Sequence, residues 1–179
     1  MSRVRLIPIV LIVLITLGIL VAGYQTYRHL NFINPLQTRL QQNPAVTTVQ
    51  IVGGNPAVIR IGLKSVSKLN NEDLQTTYHR LMALVESTTN APVQLQFIDQ
   101  SDKTLTSDYE QMAPILYQGL RKGNYTQMIA EFKQQAAKDG IQSSVTMDQQ
   151  NVYVELWDSS NHYLYDVITY QVSQGGGAA

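Results

Sequence analysis

The longest unbroken hydrophobic segment of the chain lies at its N-terminus. Residues 6–24 read LIPIVLIVLITLGILVAGY, a stretch without a charged side chain. At about 1.5 Å of rise per residue, a helix of this length reaches the roughly 30 Å of a bilayer hydrocarbon core. The pattern predicts a transmembrane anchor over residues 6–24. A cleaved signal peptide is the alternative, because Val21-Ala22-Gly23 is a run of small residues, although the apolar region of a signal peptide is usually only about 7–15 residues long.

Positive charges lie on both sides of this hydrophobic segment. Arg3, Arg5 and the amino terminus precede it, and Arg28 follows it. The positive-inside rule then favours a cytoplasmic stub over residues 1–5. The sequence therefore predicts a single-pass protein of the cell membrane, with its N-terminus in the cytoplasm and its C-terminal domain outside it.

The segment after the anchor, residues 25–44, has the features of a stalk. Asn34-Pro35 is typical of a helix N-cap followed by proline in the first turn, and Leu36 and Leu40 then share one face. Asn43-Pro44 then ends this short helix. We therefore expect the compact domain to begin near residue 45.

Residues 45–172 carry alternating and helical patterns in a definite order, and a glycine-rich tail over residues 173–179 is expected to be disordered. The patterns predict two strands, a helix and a strand, followed by two helices and three strands, that is ββαβ and then ααβββ. The predicted strands are residues 46–52, 57–65, 93–99, 141–147, 152–157 and 163–171.

The ends of the predicted helices carry recognisable capping residues. Asn70-Asn71-Glu72-Asp73 is an N-terminal signal for the first helix, and Ser107-Asp108-Tyr109-Glu110 resembles a capping box for the second. Pro114 is expected to kink or split the second helix, for which Gly123 is the predicted C-cap. Asn124 is expected to cap the third helix.

Strands bracket helices in both halves of the domain, and turn residues join neighbouring strands. This order predicts an α+β fold with a single, mainly antiparallel sheet and helices packed on one of its faces. Two small lobes are the alternative arrangement of the same elements.

Aromatic residues alternate with aliphatic ones on the last two predicted strands. If the aliphatic set faces the helices, four aromatic side chains share the opposite face: Tyr153, Trp157, Tyr163 and Tyr165. Exposed on an open sheet, these side chains would form a binding face for a sugar ring or a protein. The alternative is that these aromatic pairs only stabilise the sheet, or that another segment covers them.

Charge is distributed unevenly along a chain whose 13 basic and 13 acidic residues balance. Between residues 24 and 69 there are basic residues and no acidic ones, which suggests a membrane-proximal basic strip made of Arg28, Arg39, Arg60 and Lys64. The overall neutrality argues against a nucleic-acid partner. The chain has no cysteine, which excludes disulfides and thiol chemistry.

Residue types that perform catalysis or bind metals occur without a recognisable spacing. His29, His79 and His162 are far apart in the sequence and read as separate surface residues. The acidic stretch with Asp99, Asp102, Asp108 and Glu110 follows a strand but matches no calcium loop, and Asp102 and Asp108 read as turn and cap residues. We therefore predict no catalytic residues, no metal and no cofactor.

These observations predict a non-enzymatic interaction or assembly module, displayed on the outer side of a cell envelope, most simply a bacterial one. Its partners would be membrane lipid through residues 6–24 and another protein or a second copy of the chain. A ligand-binding or sensory domain that recognises cell-wall glycan or another envelope component through the aromatic face is the alternative.

Overall fold

The computed structural model describes residues 6–28, 34–53, 56–65, 72–89 and 92–171. The predicted cytoplasmic residues 1–5 and the predicted disordered tail, residues 173–179, lie outside these ranges. The described part contains five helices and six strands in the predicted order. The helices are α1 Leu6–Arg28, α2 Asn34–Gln41, α3 Leu74–Glu86, α4 Lys103–Lys122 and α5 Tyr125–Lys138. The strands are β1 Val46–Val52, β2 Ala57–Leu63, β3 Val93–Ile98, β4 Gln142–Met147, β5 Asn151–Trp157 and β6 Tyr163–Thr169.

The fold is α+β, but its strands form two three-stranded sheets rather than the single sheet that we predicted. The first sheet has the order β1-β2-β3, in which β1 and β2 are antiparallel and β3 is parallel to β2. The second sheet is an antiparallel meander in the order β4-β5-β6. The parallel pair follows from the crossover through α3, because a strand that returns after a helix enters the sheet in the same direction.

The two sheets meet at the end of β3 without forming one ladder. The backbone N–H of Gln100 donates to the carbonyl of Tyr163, whereas the N–H of Tyr165 donates to a carboxylate oxygen of Asp99. At this point a side chain takes the place that a backbone carbonyl would occupy in a continuous sheet. Backbone pairing between the end of β3 and β6 therefore ends after one hydrogen bond. The two sheets pack against each other instead of forming one continuous sheet.

A hydrophobic cluster lies on each face of the second sheet. Its aliphatic face packs on α4 and α5, with Val152, Val154 and Leu156 buried against Phe132 and Leu116. The opposite face joins a cluster built from α2, α3 and the inner face of the first sheet. Helices therefore cover one face of the first sheet, as predicted, but lie on both sides of the second.

The N-terminal caps of α3 and α4 differ in position from those predicted, and Asn124 precedes α5 as predicted but makes no side-chain capping hydrogen bond. Asp73 caps α3 by accepting a hydrogen bond from the backbone N–H of Thr76. Asp102, rather than Ser107, caps α4, which begins five residues earlier than the capping box predicted and continues through Pro114 without a break. Gly123 ends α4 at φ 71°, a left-handed conformation that glycine adopts without steric cost.

The segment predicted to be a stalk contains part of the domain core. Leu36 and Leu40 on α2 are fully buried in the cluster that α2 shares with α3 and the first sheet. The packed body therefore reaches back at least to Leu36, earlier than the predicted boundary at residue 45. The shared face of the two leucines was correctly predicted, but a helix of eight residues gains little stability alone and is retained because the core covers it.

The outer face of the first sheet is open. No helix in the described ranges covers it, and its side chains include Thr48 and Gln50 on β1, Arg60 on β2, and Gln94 and Gln96 on β3, all of them exposed. At the end of this face, a Cβ on Gly62 would lie 2.4 Å from Oγ1 of Thr48, so any larger residue would require that side chain to move.

The described side chains of α1 run from Val10 to Gln25 and are all exposed. Its large hydrophobic residues between Val10 and Val21 have exposed fractions of 52–67%. Within the described ranges, no helix was found to be long and apolar enough to cross a membrane.

We predict that Leu40→Ala will lower the free energy of unfolding by about 2–5 kcal/mol, because it removes a fully buried side chain from the core and leaves a cavity. Chemical denaturation monitored by circular dichroism measures the change. Gln41→Ala, on the exposed side of α2, is the control and should change stability by less than about 0.5 kcal/mol. Equal stability of the two variants would show that α2 does not belong to the core.

Candidate functional site

The structure places the predicted aromatic face inside the protein. Tyr153 is 0% exposed, and Tyr163 and Tyr165 are each 6% exposed. The prediction that these rings lie on an open surface was wrong, because α3 and the first sheet cover the face on which they project. The assumption behind it, that the aliphatic set of β5 and β6 faces the helices, was correct.

The two tyrosines of β6 link the sheets through their hydroxyl groups. The hydroxyl of Tyr163 donates to the carbonyl oxygen of Leu63 at 2.9 Å, and that of Tyr165 donates to the carbonyl oxygen of Lys64 at 2.6 Å. Both carbonyl acceptors lie at the C-terminal end of β2, where the strand pairing ends. Burial raises the pKa of both phenols, so they remain hydrogen-bond donors.

Trp157 is the only member of the predicted aromatic face that is not fully buried. It is partly covered by the core cluster, and its indole N–H donates to the side-chain oxygen of Gln142 on β4 at 2.8 Å. The four aromatic residues therefore stabilise the sheets and their contact, which is the alternative that the sequence left open.

A first polar cluster surrounds the turn between β4 and β5. One carboxylate oxygen of Asp148 accepts from the hydroxyl of Tyr153 at 2.7 Å and lies 2.9 Å from Nε2 of His79 on α3. Burial alone would raise the pKa of Asp148, but hydrogen bonds from Tyr153 and from the backbone of Gln150 and Asn151 lower it below its ordinary value. His79 is an exposed surface residue, as predicted, and its contact with Asp148 attaches α3 to the second sheet.

A second polar cluster, the Asp102–Asp158–His162 cluster, forms where α4 begins next to the turn between β5 and β6. Nδ1 of His162 lies 2.9 Å from Oδ2 of Asp158 and 3.9 Å from Oδ2 of Asp102. The hydrogen bond with Asp158 raises the pKa of His162, and the same bond lowers the pKa of Asp158. All three side chains are half-buried, and their ligating atoms lie within 4.8 Å of one another.

An open depression of about 280 Å³ lies beside this cluster on the first turns of α4. Its lining consists of Ser101, Asp102, Lys103, Thr106, Ser107 and Glu110. Of the acidic stretch singled out in the sequence, Asp102 and Glu110 thus border the depression. Asp99 instead binds the backbone of Tyr165 and the side chain of Ser101, which fixes the corner between the sheets.

The predicted basic strip is not a single surface. Arg60 lies on the open face of the first sheet, where its Nε donates to the side-chain oxygen of Gln96 at 3.4 Å. Arg39 belongs to α2 on the other side of that sheet, where it donates to Thr88. Lys64 is exposed after β2, and the side chain of Arg28 lies outside the described part of the chain. The first sheet therefore separates Arg39 from Arg60.

Glu155 is a buried acid that lies between Tyr153 and Trp157 on the covered face of β5. It is 2% exposed, and one carboxylate oxygen accepts a hydrogen bond from the backbone N–H of Leu74, at the start of α3. Its other oxygen has no hydrogen-bond partner among the described residues. Burial, with a smaller contribution from the nearby Asp73, raises the pKa of Glu155 to about 7, although the bond from Leu74 opposes the shift.

No protein-family model, curated protein or solved structure matches this chain.

The sequence contained a partial signal for the second cluster that the predictions above did not use. Asp158 and His162 are four residues apart across a predicted hairpin turn, so their contact could be expected from a short connection. Asp102 could not be assigned to them, because it is more than fifty residues away and reaches them only through the packing of the second sheet against the end of β3.

We predict that Tyr163→Phe will lower the free energy of unfolding by about 1–3 kcal/mol, because the buried carbonyl of Leu63 loses its donor while the ring is retained. Tyr117→Phe is the matched control, since Tyr117 is 55% exposed on α4 and should tolerate the change. Denaturant titration of both variants measures the difference. Equal stability of Tyr163→Phe and the parent protein would contradict a linking role for the hydroxyl.

The buried Glu155 should make the protein less stable as pH rises from about 4.5 to about 7. In this window Glu155 is deprotonated in the unfolded chain but still protonated in the folded protein, so each rise in pH favours unfolding. The resulting loss of unfolding free energy reaches on the order of 3 kcal/mol and levels off above pH 7. We expect Glu155→Gln to remove this slope. Unfolding free energies across the pH range measure it.

Glu110→Gln, an exposed acid on α4, is the control and should keep the pH profile of the parent protein. A slope that persists unchanged in Glu155→Gln would mean that another group causes it.

Proposed function

We propose that this chain is a membrane-tethered, non-enzymatic interaction module of a cell envelope, whose α+β domain lies on the extracytoplasmic side close to the bilayer. The single observation that carries the proposal is α1, an apolar helix whose described side chains are exposed rather than packed on the domain. Exposed apolar area of this extent is usual where a helix contacts lipid or another apolar surface.

The proposed anchor is longer than the part of α1 whose side chains are described. Residues 6–24 form an uncharged stretch, and the helix assigned to them continues to Arg28. The sequence thus supplies the apolar residues ahead of Val10 that bring the helix to the length of a bilayer core. Arg3 and Arg5 ahead of the stretch favour the cytoplasmic orientation of its N-terminus.

The short connection to α2 supports a membrane-proximal domain. Residues 29–33 separate α1 from α2, and this length of chain spans about 20 Å even when fully extended. Because Leu36 and Leu40 of α2 are part of the core, the domain body begins directly after this connection. We therefore propose that the domain lies beside the membrane surface instead of projecting on a stalk.

We further propose that the open face of the first sheet is the surface that contacts a protein partner. It combines uncharged polar side chains and Arg60 with two exposed apolar residues, Val52 and Ile98, which are 45% and 38% exposed. A mixed polar and apolar composition is usual in interfaces that form between folded proteins. Glycan recognition depended on an exposed aromatic face, and three of its four side chains belong to the core, so this alternative loses its support.

Fractionation and protease treatment of intact cells that express the chain with a C-terminal tag would test the tether. We expect the protein in the membrane fraction and its tag accessible from outside. Leu11→Arg combined with Ile15→Arg should abolish anchoring, because each arginine at the centre of a span costs about 2.5–3.5 kcal/mol. Gln25→Arg, beyond the apolar stretch, is the matched control and should leave the protein in the membrane.

A soluble product that begins near Tyr24 would contradict the tether and favour a cleaved signal peptide. The partner surface is tested in the same cells with a photo-crosslinking residue at Gln50 on the open face and, as control, at Gln134 on the exposed side of α5. Adducts of defined mass at Gln50 alone are the expected result. Equal adducts at both positions, or none, would contradict the proposed surface.

A further inference from the structure

Three side chains that can ligate a metal ion converge from two distant parts of the sequence. Asp102 precedes α4, whereas Asp158 and His162 flank the turn between β5 and β6. We propose that the Asp102–Asp158–His162 cluster binds a divalent first-row transition-metal ion, with zinc as the representative ion. This site is independent of the membrane tether and of the open face of the first sheet.

The distances between the ligating atoms suit a common metal ion. Nδ1 of His162 lies 2.9 Å from Oδ2 of Asp158 and 3.9 Å from Oδ2 of Asp102. Zinc binds nitrogen and carboxylate oxygen at about 2.0–2.2 Å, so two ligands in a tetrahedral site are separated by about 3.4 Å. The observed separations lie on either side of this value, and small side-chain rotations would make them equal.

Each carboxylate is already held in the orientation that a ligand requires. Oδ1 of Asp102 accepts the hydrogen bond that caps α4, from the backbone N–H of Leu105 at 2.7 Å. Oδ1 of Asp158 accepts from the backbone N–H groups of Ser160 and His162 at 2.8 and 2.9 Å. The backbone thus occupies one oxygen of each carboxylate and directs the other towards the imidazole, as outer hydrogen bonds do in metal sites.

The charge of the cluster favours a divalent cation. Two carboxylates face one imidazole, and among the described residues the ion pairs of Asp102 and Asp158 involve only His162. With a neutral imidazole the cluster carries two negative charges, which a divalent ion balances. Because an imidazole nitrogen suits zinc and its neighbours while calcium and magnesium prefer oxygen ligands, we expect selectivity for the transition metal.

The site is also accessible to solvent, and a metal ion bound there would keep at least one coordination position free of protein ligands. The side chains of Asp102, Asp158 and His162 are 37%, 25% and 40% exposed, so an ion reaches them from solvent. Three protein ligands leave at least one coordination position for water, and Asp102 also borders the depression around Ser101 and Thr106.

The test is calorimetric titration of the full chain, purified in detergent without an affinity tag, with zinc chloride and in parallel with calcium and magnesium chloride. We expect one zinc per chain with a dissociation constant below about 10 μM, and no saturable binding of calcium or magnesium. Asp102→Asn, Asp158→Asn and His162→Ala should each weaken zinc binding by about tenfold or more. The two asparagines preserve the oxygen that accepts the backbone hydrogen bonds, so the helix cap and the turn are retained.

His79→Ala is the matched control, because His79 also lies 2.9 Å from a carboxylate, that of Asp148, but has a single acidic partner. It should leave zinc affinity unchanged, and thermal unfolding without metal should show that all variants remain folded. The proposal is overturned if zinc does not bind, if the three cluster variants bind it as well as the parent protein, or if His79→Ala weakens binding to the same degree. In those cases the cluster is an ion-pair network, in which a protonated His162 bridges the carboxylates of Asp102 and Asp158.

Discussion

A phenolic hydroxyl that enters a protein core must find a hydrogen-bond partner, and Tyr163 and Tyr165 find theirs where β2 ends. The carbonyls of Leu63 and Lys64 need donors at that point. This mutual requirement fixes the position of the second sheet on the first, because the rings can be buried only where their hydroxyls meet these carbonyls. The closed aromatic face, the two-sheet arrangement and both polar clusters depend on it.

The position of the second sheet determines which polar groups meet at its turns. At one end, the β4–β5 turn reaches α3, so that Asp148 contacts His79 and the ring of Tyr153 lies beneath them. At the other end, the β5–β6 turn reaches the start of α4 and brings Asp158 and His162 to Asp102. The buried Glu155 between them is attached to the first turn of α3. The second sheet therefore contacts the rest of the domain through polar side chains at its two turns and through tyrosine rings in between.

The two proposals concern different surfaces of one body. The membrane tether and the open face of the first sheet belong to the N-terminal half, whereas the proposed metal site lies where α4 meets the C-terminal hairpin. Because α2 is packed into the core, the proposed tether would join the body of the domain through residues 29–33 alone. A domain held this close to the bilayer would suit contact with a partner in the same membrane.

The sequence by itself determined the order of the elements, the ends of most helices and the face of each strand that is apolar. These features depend on short-range rules: alternation along Val152–Trp157, capping residues ahead of α3, and a glycine at position 123 with positive φ. Only the tertiary structure decided that the strands form two sheets, that the tyrosine face is covered and that Leu36 belongs to the core. Strand alternation shows which side chains share a face but not what packs on it, and a polar ring such as tyrosine suits both water and a core that offers a hydrogen-bond acceptor. The acceptors of Tyr163 and Tyr165 are about a hundred residues away, so no local pattern could reveal them.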